Sequence, residues 1–171
     1  KKRGISILSR RKEKEQANKD LDEKKKANQA KIIETIADQE KEFIAPKTGD
    51  IIGLDNIEGM NILVRIFEPE ISLKASASRV ILVLSDRIKQ RIGSVLIFIA
   101  TKGCEKDIFI CSATDDMIRK GFSCKKFISE FGKELSLTGG GSDKKIQGVI
   151  LNRGDDFINR VKEAISKFIK K

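Results

Sequence analysis

The chain has 171 residues, and its 35 Lys and Arg against 25 Asp and Glu give a formal net charge of +10. That balance points to a polyanionic partner, nucleic acid before membrane surface, and by itself says nothing about fold. Histidine is absent, which removes the commonest general base and the commonest metal ligand. Cys104, Cys111 and Cys124 are odd in number and lack C-x-x-C spacing. They predict neither a zinc site nor a disulfide framework, and each is expected to pack as a small buried hydrophobe in a reducing compartment. No apolar run approaches the roughly 18 residues of a membrane span, and no signal peptide is visible. The chain opens on Lys1-Lys2-Arg3, so it reads as a piece of a longer cytoplasmic protein.

Residues 5–45 contain no Gly and no Pro, and residues 1–42 hold 13 basic and 9 acidic side chains with few large apolar ones. This is a helix composition, with Leu21, Asn28, Ile32, Ile36 and Phe43 forming one thin stripe near helical period. The stripe is too narrow for burial on a core and suits a partner helix. Leu21, Ile32, Ile36 and Phe43 are therefore the expected dimerisation residues of a coiled-coil-like segment spanning 1–45. Pro46-Lys47-Thr48-Gly49-Asp50 is expected to stop the helix and open a second domain, 46–171.

That domain reads as α/β. Asn61–Phe67 predicts a strand. Ala77, Val80, Ile81, Leu84, Ile88 and Ile92 recur at three- and four-residue spacing, so a helix is expected within 71–92, closed by Gly93. Ser94–Ala100 is a continuous apolar run suited to a doubly covered sheet. A hairpin-length connection at Lys102–Lys106 leads to a strand at Asp107–Ala113. Thr114 with Asp115 and Asp116 starts a short helix that Gly121 breaks, and a further helix is expected over 123–135. Leu137-Thr-Gly-Gly-Gly-Ser-Asp-Lys-Lys145 then predicts a loop, followed by a strand near 146–151 and a last helix over 155–169. This order implies a mixed sheet with helices on its faces, preceded by the long N-terminal helix.

The three glycines admit more than one reading. Gly139 alone would serve as a left-handed helix cap. Three in a row also let another molecule approach the bare backbone, with Lys144 and Lys145 near enough to neutralise phosphate. The spacing matches neither G-x-x-x-x-G-K-[ST] nor G-x-G-x-x-G, so neither nucleotide cradle is supported. On the residues alone, close approach and a plain flexible surface loop stand even.

The order of elements, with Asp86–Val95 as a helix-to-strand junction, Gly139-Gly-Gly-Ser-Asp143 and Gln147-Gly148, resembles the DHH-associated domain. More narrowly, it resembles the C-terminal domain of alanyl-tRNA synthetase. In that family a helical segment precedes a globular part carrying a G-G-G-R-P-D-x-x-x-A-x-G-G-like signature. Gly139, Gly140, Gly141 and Asp143 match it; Ser142 stands where the family has Arg-Pro, and Val149 replaces a later glycine. The resemblance implies a module without a reaction centre that dimerises and binds the outer corner of tRNA. Its RNA-binding residues would be Gly139, Gly140, Gly141, Ser142, Lys144 and Lys145. It implies no cofactor for this chain, with ATP, Mg and Zn used by the parent enzyme. The alternative is the substrate-binding half of a DHH phosphoesterase acting on single-stranded nucleic acid or nucleotides. The lack of Trp and Tyr, with nine Phe placed mostly where a core needs them, argues against a base-stacking platform and for recognition of RNA by shape and backbone.

Overall fold

The structure, a computed structural model, describes residues 2–44, 51–69, 74 and 76–171. The expected helix is present as α1 (Lys2–Glu42), and every described side chain from Ser9 to Lys31 is exposed. The chain divides into two compact units, Lys1–Glu34 and Thr35–Lys171. The last turns of α1 therefore group with the globular part, upstream of the expected boundary at 45/46. The expected stop signal at 46–50 lies outside the described residues, as do 71–73 and 75 within the expected second helix.

In the second unit, β1 (Leu54–Ile57), β2 (Met60–Phe67), α2 (Ala77–Ile92), β3 (Leu96–Lys102), β4 (Asp107–Ala113), α3 (Asp115–Arg119), α4 (Cys124–Phe131), β5 (Leu137–Gly141), β6 (Lys145–Ile150) and α5 (Phe157–Ile169) follow in order. The six strands form one sheet in the order β1-β2-β3-β4-β6-β5. Only the β2–β3 pair is parallel among them, joined through α2; the others are antiparallel. The mixed sheet with helices is as expected.

Two elements differ. β1 carries only four residues, Leu-Asp-Asn-Ile, too few to show a period in the sequence. Gly139–Gly141, expected as a loop, form most of β5. Glycine is a poor strand former, and here pairing with β6 overrides that preference. The helix-cap reading of Gly139 also falls, because α4 ends at Phe131 and Gly132 takes the cap position.

One sheet face packs on α4 and α5. Ile62, Val64, Leu96, Phe98, Phe109 and Cys111 meet Phe127, Phe131, Val161 and Ile165 there. Phe98 and Phe109 stack across neighbouring strands with ring centroids 5.3 Å apart. The opposite face is covered by α2 through Val80, Ile81, Leu84 and Ile88. With both faces of its central strands covered, β3 reads as the unbroken apolar run seen in the sequence.

Candidate nucleic-acid interface

β5 lies at the edge of the sheet, and its hydrogen-bond phase decides what it offers. Ser142 N–H donates to Lys145 O at one end of the hairpin, and Leu151 N–H donates to Ser136 O at the other, both at 2.8 Å. In an antiparallel ladder bonded pairs alternate with non-bonded ones. Thr138 and Gly140 therefore turn their backbone groups inward, towards Val149 and Gln147. Leu137, Gly139 and Gly141 turn theirs off the open edge. Leu137 N–H is taken by Gly132 O at 2.7 Å. The outward groups of Gly139 and Gly141 have no partner among the described residues.

The same phase explains two of the three glycines. Non-bonded pairs bring Cα atoms closest, about 4.5 Å apart, and Gly139 faces Gly148 in such a pair. A Cβ at Gly139 would lie 2.6 Å from Gln147 O, and one at Gly148 would lie 2.1 Å from Thr138 O. At Gly141, φ is +153° and a Cβ would lie 2.1 Å from Lys145 O. Gly140 differs: nothing stands within 4 Å of its Cβ position. The fold gives no reason for glycine there.

Between α4 and β5 runs a groove of about 410 Å³, lined by Lys125, Ser129 and Lys133 on one wall and Gly139–Gly141 on the other, over an apolar floor that includes Ile128 and Leu137. Four-residue spacing places Lys125 and Ser129 on one face of α4, and Lys133 follows in the next turn. Neither lysine is in an ion pair among the described residues. The wall is fixed by Asp143, whose carboxylate accepts from the Ser123 hydroxyl and whose carbonyl accepts from Cys124 N–H at 2.8 Å. Ser123 in turn caps α4 by accepting from Lys126 N–H at 3.1 Å.

Lys144 and Lys145 do not line this groove. Lys144 Nζ is 2.6 Å from Asp115 and Lys145 Nζ is 3.2 Å from Asp86, which Lys89 also reaches at 2.9 Å. They border a second groove, of about 680 Å³, on the other side of the hairpin end. Strand alternation separates Lys145 from Ile146 in this way. The Lys144 hydrogen bond holds the Asp115 carboxyl below the usual carboxylate range. At Asp86 burial pushes upward, but Lys89 and Lys145 together outweigh it and the net shift is downward. The Ser94 and Thr114 hydroxyls lower Asp116.

Of the sequence-named RNA residues, then, the three glycines share the groove, Ser142 forms the adjoining turn, and the two lysines are engaged elsewhere. Lys125 and Lys133, which line the groove, were not singled out from the sequence. The residues of the α1 stripe differ in exposure. Ile32, Ile36 and Phe43 are buried and Leu21 is exposed. Phe43 lies under the Arg65 guanidinium at 4.8 Å, and Glu40 bridges Arg87 and Arg91 at 3.3 Å each. Cys104 corrects the expectation of three buried thiols, being exposed, whereas Cys111 and Cys124 are buried. A hydrogen bond with Cys124, then burial, pushes the Cys111 thiol up. Among the described residues no group of three or more Cys, Asp or Glu is placed to hold a metal ion, and no helix is long and apolar enough to cross a membrane.

No protein-family profile matches the chain. The alanine–tRNA ligase of a Thermoanaerobacter species is 28% identical over 184 aligned positions, covering 97% of this chain and 19% of that protein. The alanine–tRNA ligase of Endomicrobium trichonymphae is 27% identical over 117 positions, covering 64% of this chain and 13% of its own length. The chain resembles the alanine–tRNA ligases. It spans about a fifth of the length of the Thermoanaerobacter relative. Among solved structures, the C-Ala domain of Aquifex aeolicus alanyl-tRNA synthetase superposes with a TM-score of 0.51 at 23% identity, covering 66% of this chain and 97% of that one. A DHH domain from a protein described as a member of a family of ribosomal proteins gives 0.51 at 16%, covering 83% of this chain and 31% of that one. These two structures show a shared fold, and the likeness to the C-Ala domain agrees with the sequence relation to alanine–tRNA ligases.

Proposed function

We propose that this chain is the C-terminal, RNA-holding part of an alanyl-tRNA synthetase, and that it grips tRNA backbone in the groove between α4 and β5. The likeness to alanine–tRNA ligases over 97% of the chain carries the reading. The groove supports it with Lys125 and Lys133, which have no ion pair among the described residues, and with the N–H groups of Gly139 and Gly141 pointing off the sheet edge. Backbone amides and lysines together favour an anion. The role is to hold one tRNA for the ligase's other domains, without chemistry of its own.

Titration of the full chain with tRNA over a range of salt tests this. Affinity should fall linearly in log–log form, with a slope set by the number of phosphates contacted. Absence of tRNA binding at low salt would overturn the reading. The fold likeness to a DHH domain supports a second one, the substrate half of a DHH phosphoesterase. A short single-stranded oligonucleotide that outcompetes tRNA would favour it.

A further inference from the structure

Resting on that reading, we propose that the open edge of β5 reads the ribose 2′-hydroxyl, so that the groove selects RNA over a polyanion of the same shape and charge. Gly139 and Gly141 each turn a carbonyl as well as an N–H off the edge, and both carbonyls lack partners among the described residues. A bare anion gains from the amides and the two lysines but is repelled by the carbonyls. A ligand that satisfies this edge must bring donors and acceptors in alternation. The RNA backbone does so, with phosphate oxygens that accept and one 2′-hydroxyl per nucleotide that donates. Gly139 and Gly141 lie two strand residues apart, about 7 Å, so the edge presents two such donor–acceptor units in a row. With no side chain on residues 139–141, nothing holds a sugar off the backbone.

A peptide strand also satisfies an alternating edge. Two features favour the polyanion: Lys125 and Lys133 flank the edge without ion pairs among the described residues, and the chain carries +10. A second copy would bring lysine against lysine.

The test uses the full chain and one stem–loop RNA in two forms, unmodified and fully 2′-fluoro-substituted. Fluorine keeps the A-form shape and the phosphates but cannot donate a hydrogen bond. The unmodified RNA should bind roughly tenfold more tightly, the effect of two modest hydrogen bonds, with the same salt slope for both. In the Lys125→Gln/Lys133→Gln variant both affinities should fall together and the ratio should persist. Equal binding of the two forms overturns the proposal while leaving RNA binding intact. A ratio that collapses in the lysine variant also overturns it, since the lysines would then be reading the ribose. A dimer in sedimentation that excludes RNA would mean a second copy covers the edge, and the proposal fails. If neither form binds at low salt, the proposed function fails with it.

Discussion

The two edges of the sheet are built differently. At β1 the edge carries side chains: Asp55 reaches Lys162 of α5 at 2.6 Å, and the Asn56 amide donates to Asn61 at 3.1 Å. Charged and polar groups of this kind discourage another strand from adding on. At β5 the edge is Gly-Gly-Gly, bare backbone beside two lysines that have no ion pair among the described residues. One edge is closed by chemistry and the other is left approachable, in a chain with 35 basic residues available for edge protection. The hairpin itself requires glycine at 139 and 141, whereas at Gly140 nothing stands within 4 Å of the Cβ position, so its bareness is better explained by what approaches the edge.

The glycines themselves offer the sharpest way to break that comparison. Gly139→Val would put atoms 2.6 Å from Gln147 O, and Gly148→Val 2.1 Å from Thr138 O. Overpacking against backbone should cost about 3 kcal/mol in chemical denaturation. Gly140→Val meets nothing within 4 Å and replaces a poor strand former by a good one. Its stability should be unchanged or higher by up to about 1 kcal/mol. Its side chain would share the face of Gln147, which turns to Ser78 and away from α4, flanking the open edge. The affinity for tRNA should therefore fall by up to about tenfold if the ligand spans that edge, the scale of two modest hydrogen bonds. A folded Gly140→Val that binds tRNA like the parent chain would make all three glycines a matter of hairpin construction.

The lysines come next. Lys125→Gln with Lys133→Gln should lower the magnitude of the salt slope by up to about 2, at nearly one per lost phosphate contact. Lys144→Gln with Lys145→Gln should lower it by less, because those ammonium groups already face Asp115 and Asp86. The reverse ranking would move the interface to the second groove.

The same contrast shows how far the sequence could be read. Periodicity revealed α1 and α2, and an unbroken apolar run revealed β3, where one environment acts over many residues. Both signals missed β1, which is too short to repeat, and β5, where tertiary pairing overrides a glycine's preference for loops. The site was half visible. Three adjacent glycines announce a close approach, but the sequence cannot say that Gly139 and Gly148 approach each other while Gly140 is left open. Nor can adjacency reveal partners: Lys144 and Lys145 lie next to the glycines in sequence and point to carboxylates supplied by α3 and α2. Lys125 lies 14 positions before Gly139 in the chain, yet it lines the same groove.

A smaller effect follows from those carboxylates. Lys144 and Asp115 are both well exposed, at 61% and 67%, so their pair is weak and exchangeable. Asp115→Asn should free Lys144 for phosphate and tighten tRNA binding two- to threefold, on the scale of one exposed ion pair. No change would indicate that RNA never reaches that side of the hairpin.

The smallest expected effect concerns Asp86, which ties β6, the strand behind the open edge, to α2. Burial raises its pKa, Lys89 and Lys145 lower it by more, and the folded value lies below the ordinary 3.8. A carboxylate depressed in the folded state stabilises the fold above the unfolded pKa, and that contribution is lost as pH falls through the folded value. Asp86→Asn should therefore be less stable than the parent at pH 7, by at most about 1 kcal/mol given the exposure of the pair. The gap should stay constant down to about pH 5, narrow below pH 4 and close in stronger acid. Thermal melts of both proteins from pH 7 to pH 2 measure it. A gap that persists at pH 2 would show that Asp86 acts through packing and not through its charge. The anchoring of the bare edge to α2 would then owe nothing to Lys145, leaving that lysine free for RNA after all.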